Sequence, residues 1–135
     1  MKRLLFLCLF CFPLLAGNGY FYRRAVTIDH TQVQTSDQTN FPVVVNGTFS
    51  YLATVPNLGN VTNANGFDII ITSDLAGSTK LATELSYYVA TTGQVSLWVL
   101  IPSLSHTVDT VVYLWYGNPT VTTSQDNKAT LWADY

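Results

Sequence analysis

The sequence predicts an all-β domain, an antiparallel β-sandwich of jelly-roll-like type, on three observations. Several short apolar runs are rich in Val, Ile, Tyr and Trp, the residues that suit a pleated, half-buried strand. Turn-forming residues separate the runs at spacings of about 10–15 residues, which is typical of sandwiches and barrels. No stretch keeps a helical period over three turns, which argues against alternating strands and helices.

The two most apolar runs, residues 95–101 and 110–116, are predicted to form a central pair of antiparallel strands. Gly93 precedes the first run, Pro102 follows it, and a Gly-Asn-Pro turn at residues 117–119 ends the second. In the first run, strict alternation places four aliphatic side chains on one face and Trp98 on the other; the four are Val95, Leu97, Val99 and Ile101.

Four further strands are predicted earlier in the chain. Pro42 lacks an N–H group, so it belongs at the start of a strand or on a sheet edge. Asn65-Gly66 marks a turn after a long connection, residues 47–66, whose first half contains a short apolar helical turn. The four predicted strands are residues 20–30, 41–46, 67–72 and 81–90.

Residues 1–17 have the layout of a secretory signal peptide. Lys2 and Arg3 precede an apolar run at residues 4–15, and small residues follow it. A run of about 12 apolar residues is shorter than the roughly 20 that a spanning helix needs, although an uncleaved membrane anchor is the alternative interpretation. The chain is therefore predicted to be secreted or displayed at the cell surface, with no membrane association after cleavage.

Removal of this segment changes the composition of the chain. Both cysteines, Cys8 and Cys11, lie within it, so the remainder has neither a disulfide framework nor a thiolate metal site. Two of the six basic residues and none of the eight acidic ones lie in it, which leaves a net charge of −4. This mildly acidic balance argues against nucleic acid or an anionic membrane as the partner.

Residues 131–135 begin a new apolar segment at which the sequence stops. They are predicted to be the start of a truncated downstream segment, so that the β-sandwich module spans residues 18–130.

The order of several motifs resembles a known family. Phe-Pro-Val-Val-Val at residues 41–45 is followed by Asn-Gly-Phe-Asp-Ile at 65–69, Leu-Trp-Val at 97–99, a Tyr-Gly-Asn motif at 116–118 and Leu-Trp at 131–132. This series is similar to the bacterial and phage family called domain of unknown function 2341. The resemblance implies a β-sandwich module of secreted or surface proteins, often placed just before a concanavalin-A-like lectin domain. It implies no chemistry, because the family has no established activity.

Two carboxylates lie inside predicted strands that are otherwise nearly free of charge. Asp68 and Glu84 could form the carboxylate pair of a glycoside hydrolase, in which the two groups lie roughly 5–10 Å apart. They could instead form a structural charge network with Arg23 or Arg24, because a buried carboxylate needs a compensating partner. Four strand charges, two of each sign, favour the structural interpretation.

Rings near turns are the predicted ligand contacts. Trp115 and Tyr88 lie close to strand ends, where a ring can keep one face in water, and Asn118 would be their polar neighbour. Trp98 lies in the middle of a strand and is predicted to belong to the core.

Loop histidines and aspartates are the candidate metal ligands. His30 and His106 would need each other or Asp29 and Asp109 to bind a transition metal. A calcium site would draw on backbone carbonyls and on the loop aspartates, which are Asp37, Asp74 and Asp126. Calcium-loop spacing, a phosphate-binding loop, a nucleophile elbow and a zinc-protease helix are all missing from the sequence, so neither a cofactor nor a catalytic residue is expected.

Three functions remain open. The first is a secreted, non-catalytic interaction module, accessory to a glycan-binding or adhesive surface protein. The second is a structural spacer in a surface or phage-tail protein. The third is a carbohydrate-active enzyme that uses Asp68 and Glu84. The partners in question are glycan and a downstream lectin-like domain.

Overall fold

Two three-stranded antiparallel sheets form the fold of the computed structural model, which describes residues 18–135. In chain order the strands are β1 (Tyr22–Ile28), β2 (Gln38–Thr48), β3 (Ile69–Thr72), β4 (Thr83–Val89), β5 (Gln94–Leu104) and β6 (Thr110–Tyr116). Sheet A has the order β1-β6-β3 and sheet B the order β2-β5-β4. A single short helix, α1 (Lys128–Leu131), is described. The prediction of an all-β sandwich is confirmed; the predicted signal peptide lies outside the described residues.

The two most apolar strands are each the centre of a different sheet. β5 lies between β2 and β4, and β6 lies between β1 and β3. They are therefore not hydrogen-bonded neighbours, which corrects the expected central pair. The connection between them crosses from sheet B to sheet A, and the connection from β1 to β2 crosses the other way.

The main core fills the space between the sheets. From β5 it receives the four aliphatic side chains predicted to share one face, each no more than 1% exposed, and these are Val95, Leu97, Val99 and Ile101. From sheet A it receives Ile69 and Ile71 of β3 and the alternate residues of β6, namely Val112, Leu114 and Tyr116. Leu52, in a 3-10 turn at Ser50–Leu52, completes the packing as the apolar helical turn predicted in this connection.

A second apolar cluster covers the outer face of sheet A. Tyr20, Ile70 and Trp115 are buried there, with Tyr113 and Val121 packed against them. β6 therefore packs on both sides: Leu114 and Tyr116 face the main core, and Trp115 is buried on the outer face.

β4 contains a bulge that reverses its alternation. The register with β5 shifts between Leu85 and Tyr87, so that Ser86 is the extra residue. Tyr87 consequently points outward, 52% exposed, while Tyr88 packs against the main core. Without the extra residue, the alternation of a strand would place Tyr87 on the same face as Leu85.

The other predicted strands and turns agree with the structure. Pro42 lies in β2, which is an edge strand of sheet B. The Asn65-Gly66 turn is closed by the Gly66 N–H, which donates to the Asn63 carbonyl over 2.9 Å. Gly66 has a φ of 72°, a conformation that glycine adopts without steric cost. None of the described helices is both long and apolar enough to cross a membrane.

Candidate functional site

Three aromatic side chains form a corner on the outer face of sheet B. The rings of Trp98 and Trp132 are 5.5 Å apart between centroids and inclined at 63°, and those of Trp132 and Tyr135 are 6.3 Å apart and nearly perpendicular. Trp98 and Trp132 are half-buried, and Tyr135 is 70% exposed. We call these three residues the aromatic corner. Because its rings meet at an angle, it offers a ring face and a ring edge to the same ligand.

Glu84 contacts two residues of the aromatic corner. It lies on β4 directly opposite Trp98 of β5. Its carboxylate accepts a hydrogen bond of 2.7 Å from the Trp132 indole N–H and one of 3.0 Å from the Lys128 ammonium group. The hydrogen bond from Trp132, and to a smaller extent the one from Lys128, lowers the pKa of Glu84 below its ordinary value. The hydrogen bond to the same carboxylate raises the pKa of Lys128. Glu84 is thus an ionised anchor at neutral pH.

The segment that carries Trp132 lies along the open edge of β4. The Asn127 N–H donates to the Thr83 carbonyl over 2.9 Å, and the Leu85 N–H donates to the Asp126 carboxylate over the same distance. Asn127 also caps α1 by accepting from the Thr130 N–H, and Leu131 is 1% exposed. The segment therefore satisfies backbone groups of an edge strand while it delivers Trp132 to the sheet face. Residues 131 and 132, expected to belong to a downstream segment, pack on the sandwich itself.

The chemistry that this corner permits is recognition. An aromatic ring face supplies dispersion contact for a flat apolar surface, and the neighbouring polar groups supply hydrogen bonds that orient it. Asn40 and Asp134, which are joined by a 3.3 Å hydrogen bond, add an exposed amide and carboxylate beside Tyr135.

The three predicted ligand contacts lie elsewhere. Trp115 is 2% exposed, and its indole N–H donates to the Thr72 hydroxyl over 2.8 Å. The Tyr88 hydroxyl donates to the Leu52 carbonyl over 2.7 Å, and burial, followed by the charge of Asp68, raises the pKa of Tyr88. Asn118 is 6% exposed, and its side-chain oxygen accepts two hydrogen bonds from Thr120. These side chains support the fold, so the structure corrects the expectation that they form an exposed patch.

Asp68 is a fully buried carboxylate satisfied by neutral donors. It accepts hydrogen bonds from the Thr62 N–H and hydroxyl, at 2.7 and 2.6 Å, and from the Asn63 N–H at 2.9 Å. A fourth bond of 3.2 Å comes from the Asn118 N–H, immediately after β6. Burial of Tyr20 raises its pKa to about 12, and the negative charge of Asp68 contributes to this rise. Asp68 thereby joins the connection before β3 to the turn after β6.

The two arginines of β1 have partners other than the expected carboxylates. Arg23 donates to the Leu75 carbonyl over 2.7 Å and lies over the Trp115 ring at 5.2 Å. Arg24 lies 3.9 Å from the centre of the Tyr51 ring and donates to the Tyr116 hydroxyl over 3.3 Å. The expected network is therefore corrected: donors of the loops bind Asp68, Lys128 and Trp132 bind Glu84, and tyrosine, tryptophan and carbonyl groups hold the arginines.

The loop histidines each pair with one aspartate. His30 Nδ1 lies 2.7 Å from Asp109, and the Asp29 carboxylate approaches the same ring at 3.9 Å. His106 Nδ1 lies 2.6 Å from Asp37. Asp29, His30 and Asp109 do come together, but Asp29 caps the turn at Thr31 and Asp109 accepts from the His30 backbone. Asp74 and Asp126 bond to separate loops, so the three aspartates considered for calcium do not converge.

Sequence reasoning missed the aromatic corner, although two signals pointed to it. Trp98 lies between Ser96 and Leu100 on the face of β5 opposite its buried aliphatic residues. Trp132 and Tyr135 supply rings at spacing three, which a short helical turn presents on one side. The hydrogen bonds of Asp126, Asn127 and Glu84 and the burial of Leu131 bring the two segments together.

Comparison with known proteins gives one match. A family model described as Domain of unknown function (DUF2341) matches residues 65–133, slightly more than half of the chain. The matched range contains β3 to β6 and α1, and with them Glu84, Trp98 and Trp132. No curated protein and no solved structure matches the chain.

Proposed function

The chain belongs to the DUF2341 family, a domain of unknown function, and on that premise we propose that it is a secreted, non-catalytic interaction module that binds glycan at the aromatic corner. The observation that carries the proposal is the pair of tryptophan rings, Trp98 and Trp132, held 5.5 Å apart at 63° on an outer sheet face. Sugars present flat apolar faces edged by hydroxyl groups, which matches ring faces beside carboxylate and amide groups. Secretion is proposed from the layout of residues 1–17.

The way the corner is built supports binding over simple packing. Glu84 and Lys128 fix the Trp132 ring before any ligand arrives, so little side-chain freedom remains to be lost. The residues around the corner, Glu84, Lys128 and Asp134, carry both signs of charge, a surface that suits an uncharged partner. We further propose that the module is accessory to a glycan-binding or adhesive surface protein, with a lectin-like domain as its neighbour.

The enzymatic alternative has less support. Asp68 is enclosed by four hydrogen-bond donors, while Glu84 is turned to the outer face of sheet B. Two carboxylates that open onto different surroundings do not flank one glycosidic bond. The spacer alternative draws support from the burial of Trp115 and Asn118, and it differs from our proposal in expecting no ligand.

Tryptophan fluorescence can separate these functions, because Trp98 and Trp132 lie together on sheet B whereas Trp115 lies on sheet A. Trp98 and Trp132 form the corner, while Trp115 is buried on sheet A and serves as an internal control. The protein would be titrated with neutral oligosaccharides derived from cellulose, xylan and chitin. We expect emission changes in the wild type and in Trp115→Phe, and none in the double variant Trp98→Phe, Trp132→Phe.

Calorimetry on a variant that lacks one ring of the aromatic corner measures how much that ring contributes to glycan affinity. Trp98→Ala is expected to weaken binding about tenfold or more, which corresponds to about 1.4 kcal/mol. Phe21→Ala removes an exposed ring that lies outside the corner, so it is the matched control and should bind as the wild type does. Absence of heat and of emission change with every oligosaccharide would favour the spacer function.

A further inference from the structure

A cleft of about 280 Å³ opens between the edge strands of the two sheets. Its apolar walls come from both sheets and from the connection between them: Ile28 of β1, Val33, Phe41 and Val43 of β2, and Leu104 of β5. Three glutamines, Gln32, Gln34 and Gln38, line it as well, and none of its lining residues is charged. We call this space the edge cleft.

The edge cleft is continuous with the main core. Ile28, Val33 and Val43 are half-buried and pack against that core, and Leu104 at its floor is 3% exposed. β1 and β2 are edge strands of different sheets, so none of the strands described for residues 18–135 closes the sandwich on this side. The apolar interior is therefore within reach of a ligand between these strands, and the glutamine amides offer donors and acceptors to it.

The connection from β1 to β2 contributes part of the lining. Residues 29–37, which we call the lid segment, include a 3-10 turn at His30–Gln32 and then Val33 and Gln34, all followed by a polar stretch that leads to β2. Gln32, Val33 and Gln34 face the cleft. Movement of the lid segment would thus change the size of the opening.

Two reciprocal histidine–aspartate pairs fasten the lid segment at both ends. At its start, Asp109 accepts from the His30 backbone N–H over 3.0 Å and lies 2.7 Å from the His30 ring. At its end, Asp37 accepts from the His106 backbone N–H over 2.9 Å and lies 2.6 Å from the His106 ring. Each segment gives one histidine and one aspartate, so the lid segment and residues 105–109 hold each other.

We propose that the edge cleft is a binding site for a compact, uncharged, largely apolar ligand, and that the lid segment gates it with the two histidine–aspartate pairs as latches. An apolar cavity of about 150 Å³ accommodates benzene, so a cleft about twice that size takes a ligand of roughly ten non-hydrogen atoms. The lining has no charge to pair with an ion, and a buried unpaired ion would be costly. This site is separate from the aromatic corner and does not depend on the proposed glycan function.

Indole is a suitable probe, because it is uncharged and carries one N–H group that can donate a hydrogen bond to a glutamine side-chain carbonyl. Titration of ¹⁵N-labelled protein, followed by NMR, is expected to give saturable shifts at Ile28, the lid segment, Val43 and Leu104, with a dissociation constant on the order of 1 mM. Shifts confined to the aromatic corner, or no saturable shifts, would overturn the proposal.

Filling the cleft tests its location. Val43→Phe places a ring in the cleft and is expected to weaken indole binding about tenfold or more, whereas Val44→Phe adds the same ring on the opposite face of the same strand and should change affinity less than about twofold. Val33→Phe, in a loop, fills the cleft without altering a strand and is the second filling variant. Undiminished binding in a folded filling variant would contradict the site.

Releasing the latches tests the gate. In the double variant Asp37→Asn, Asp109→Asn, amide hydrogen exchange should accelerate at His30, His106 and along the lid segment, and indole should associate faster than with the wild type. The NMR spectrum of the remaining strands reports whether the variant keeps its fold. Unchanged exchange and association in a folded variant would show that the lid segment is not a gate.

Discussion

The Trp132 indole N–H donates a 2.7 Å hydrogen bond to the Glu84 carboxylate, 48 residues earlier in the chain. With Lys128, which bonds to the other carboxylate oxygen, it fastens the segment after β6 to the outer face of sheet B. A hydrogen bond to an ionised acceptor is about twice as strong as one between neutral groups. The orientation of the aromatic corner therefore rests on one carboxylate.

Replacing Trp132 by Phe keeps a ring but removes the donor. We expect Trp132→Phe to lower the free energy of unfolding by about 1–2 kcal/mol, because the partly buried Glu84 loses its shorter hydrogen bond. Urea denaturation measures this change. Lys128→Met is the matched control: the Lys128 side chain is 57% exposed, so the loss should be under about 1 kcal/mol. Equal losses in both variants would contradict the role given to the indole N–H.

Asp68 should be among the least replaceable polar residues. Asp68→Asn turns one acceptor oxygen into a donor that faces N–H groups, so we expect a loss of about 3 kcal/mol in the free energy of unfolding. Thermal and urea denaturation give the value. Asp134→Asn makes the same chemical change at an exposed site with one weak contact and should be close to neutral. An unchanged melting temperature for Asp68→Asn would reopen a catalytic role.

Acid should destabilise the protein below about pH 4. Backbone N–H groups of Ser78 and Thr79 hold the pKa of Asp74 below its ordinary value of 3.8, and the His106 backbone and ring do the same for Asp37. A lowered pKa in the folded state means that the unfolded chain binds more protons. The stabilisation is therefore present above pH 3.8 and is lost as pH falls through the folded-state value.

Melting temperatures measured from pH 6 to pH 2.5 check this sign. Asp74→Asn removes one of the depressed groups, so its melting temperature should fall less steeply below pH 4 than that of the wild type. A parallel decline in both proteins would show that Asp74 does not contribute to the acid sensitivity.

Gly93 lies where any other residue would meet backbone. Its φ is 71°, and an added Cβ would lie 2.1 Å from the Phe49 carbonyl oxygen. Gly93→Ala is expected to lower the free energy of unfolding by more than about 2 kcal/mol, since strained conformation and contact both oppose it. Gly47→Ala, whose nearest new neighbour is the tip of the Phe49 ring, should cost less. Urea denaturation compares the two, and a reversed order would refute the steric argument.

Sequence patterns predicted the features that depend only on residues close together in the chain. The alternation of β5 correctly gave its buried face, because Val95, Leu97, Val99 and Ile101 need only the pleat of one strand to align. The separation of β5 and β6 into two sheets was not predicted. Their connection, residues 105–109, has no glycine, which tight hairpins usually need, and this was the available hint.

Features that depend on distant contacts escaped prediction. Trp115 follows the same alternation as an exposed ring would, and it is buried because Tyr20 and Val121 cover the outer face of sheet A. Tyr88 points inward because of a single extra residue at Ser86. The aromatic corner needs Trp98 and Trp132 from segments that only the fold brings together.

The placement of β5 and β6 in separate sheets sets the order in which the chain can fold. Of the strands that pair with each other, only β4 and β5 are close in sequence, as the bond between Ser86 and Ser96 illustrates, whereas 92 residues separate Arg24 of β1 from its partner Tyr116 of β6. Among the described strands, the first, β1, therefore pairs with the last, β6. Topologies dominated by such pairings fold in milliseconds to seconds. We expect nascent chains that end before Thr110 to leave β1 without its partner strand, because β1 pairs with β6.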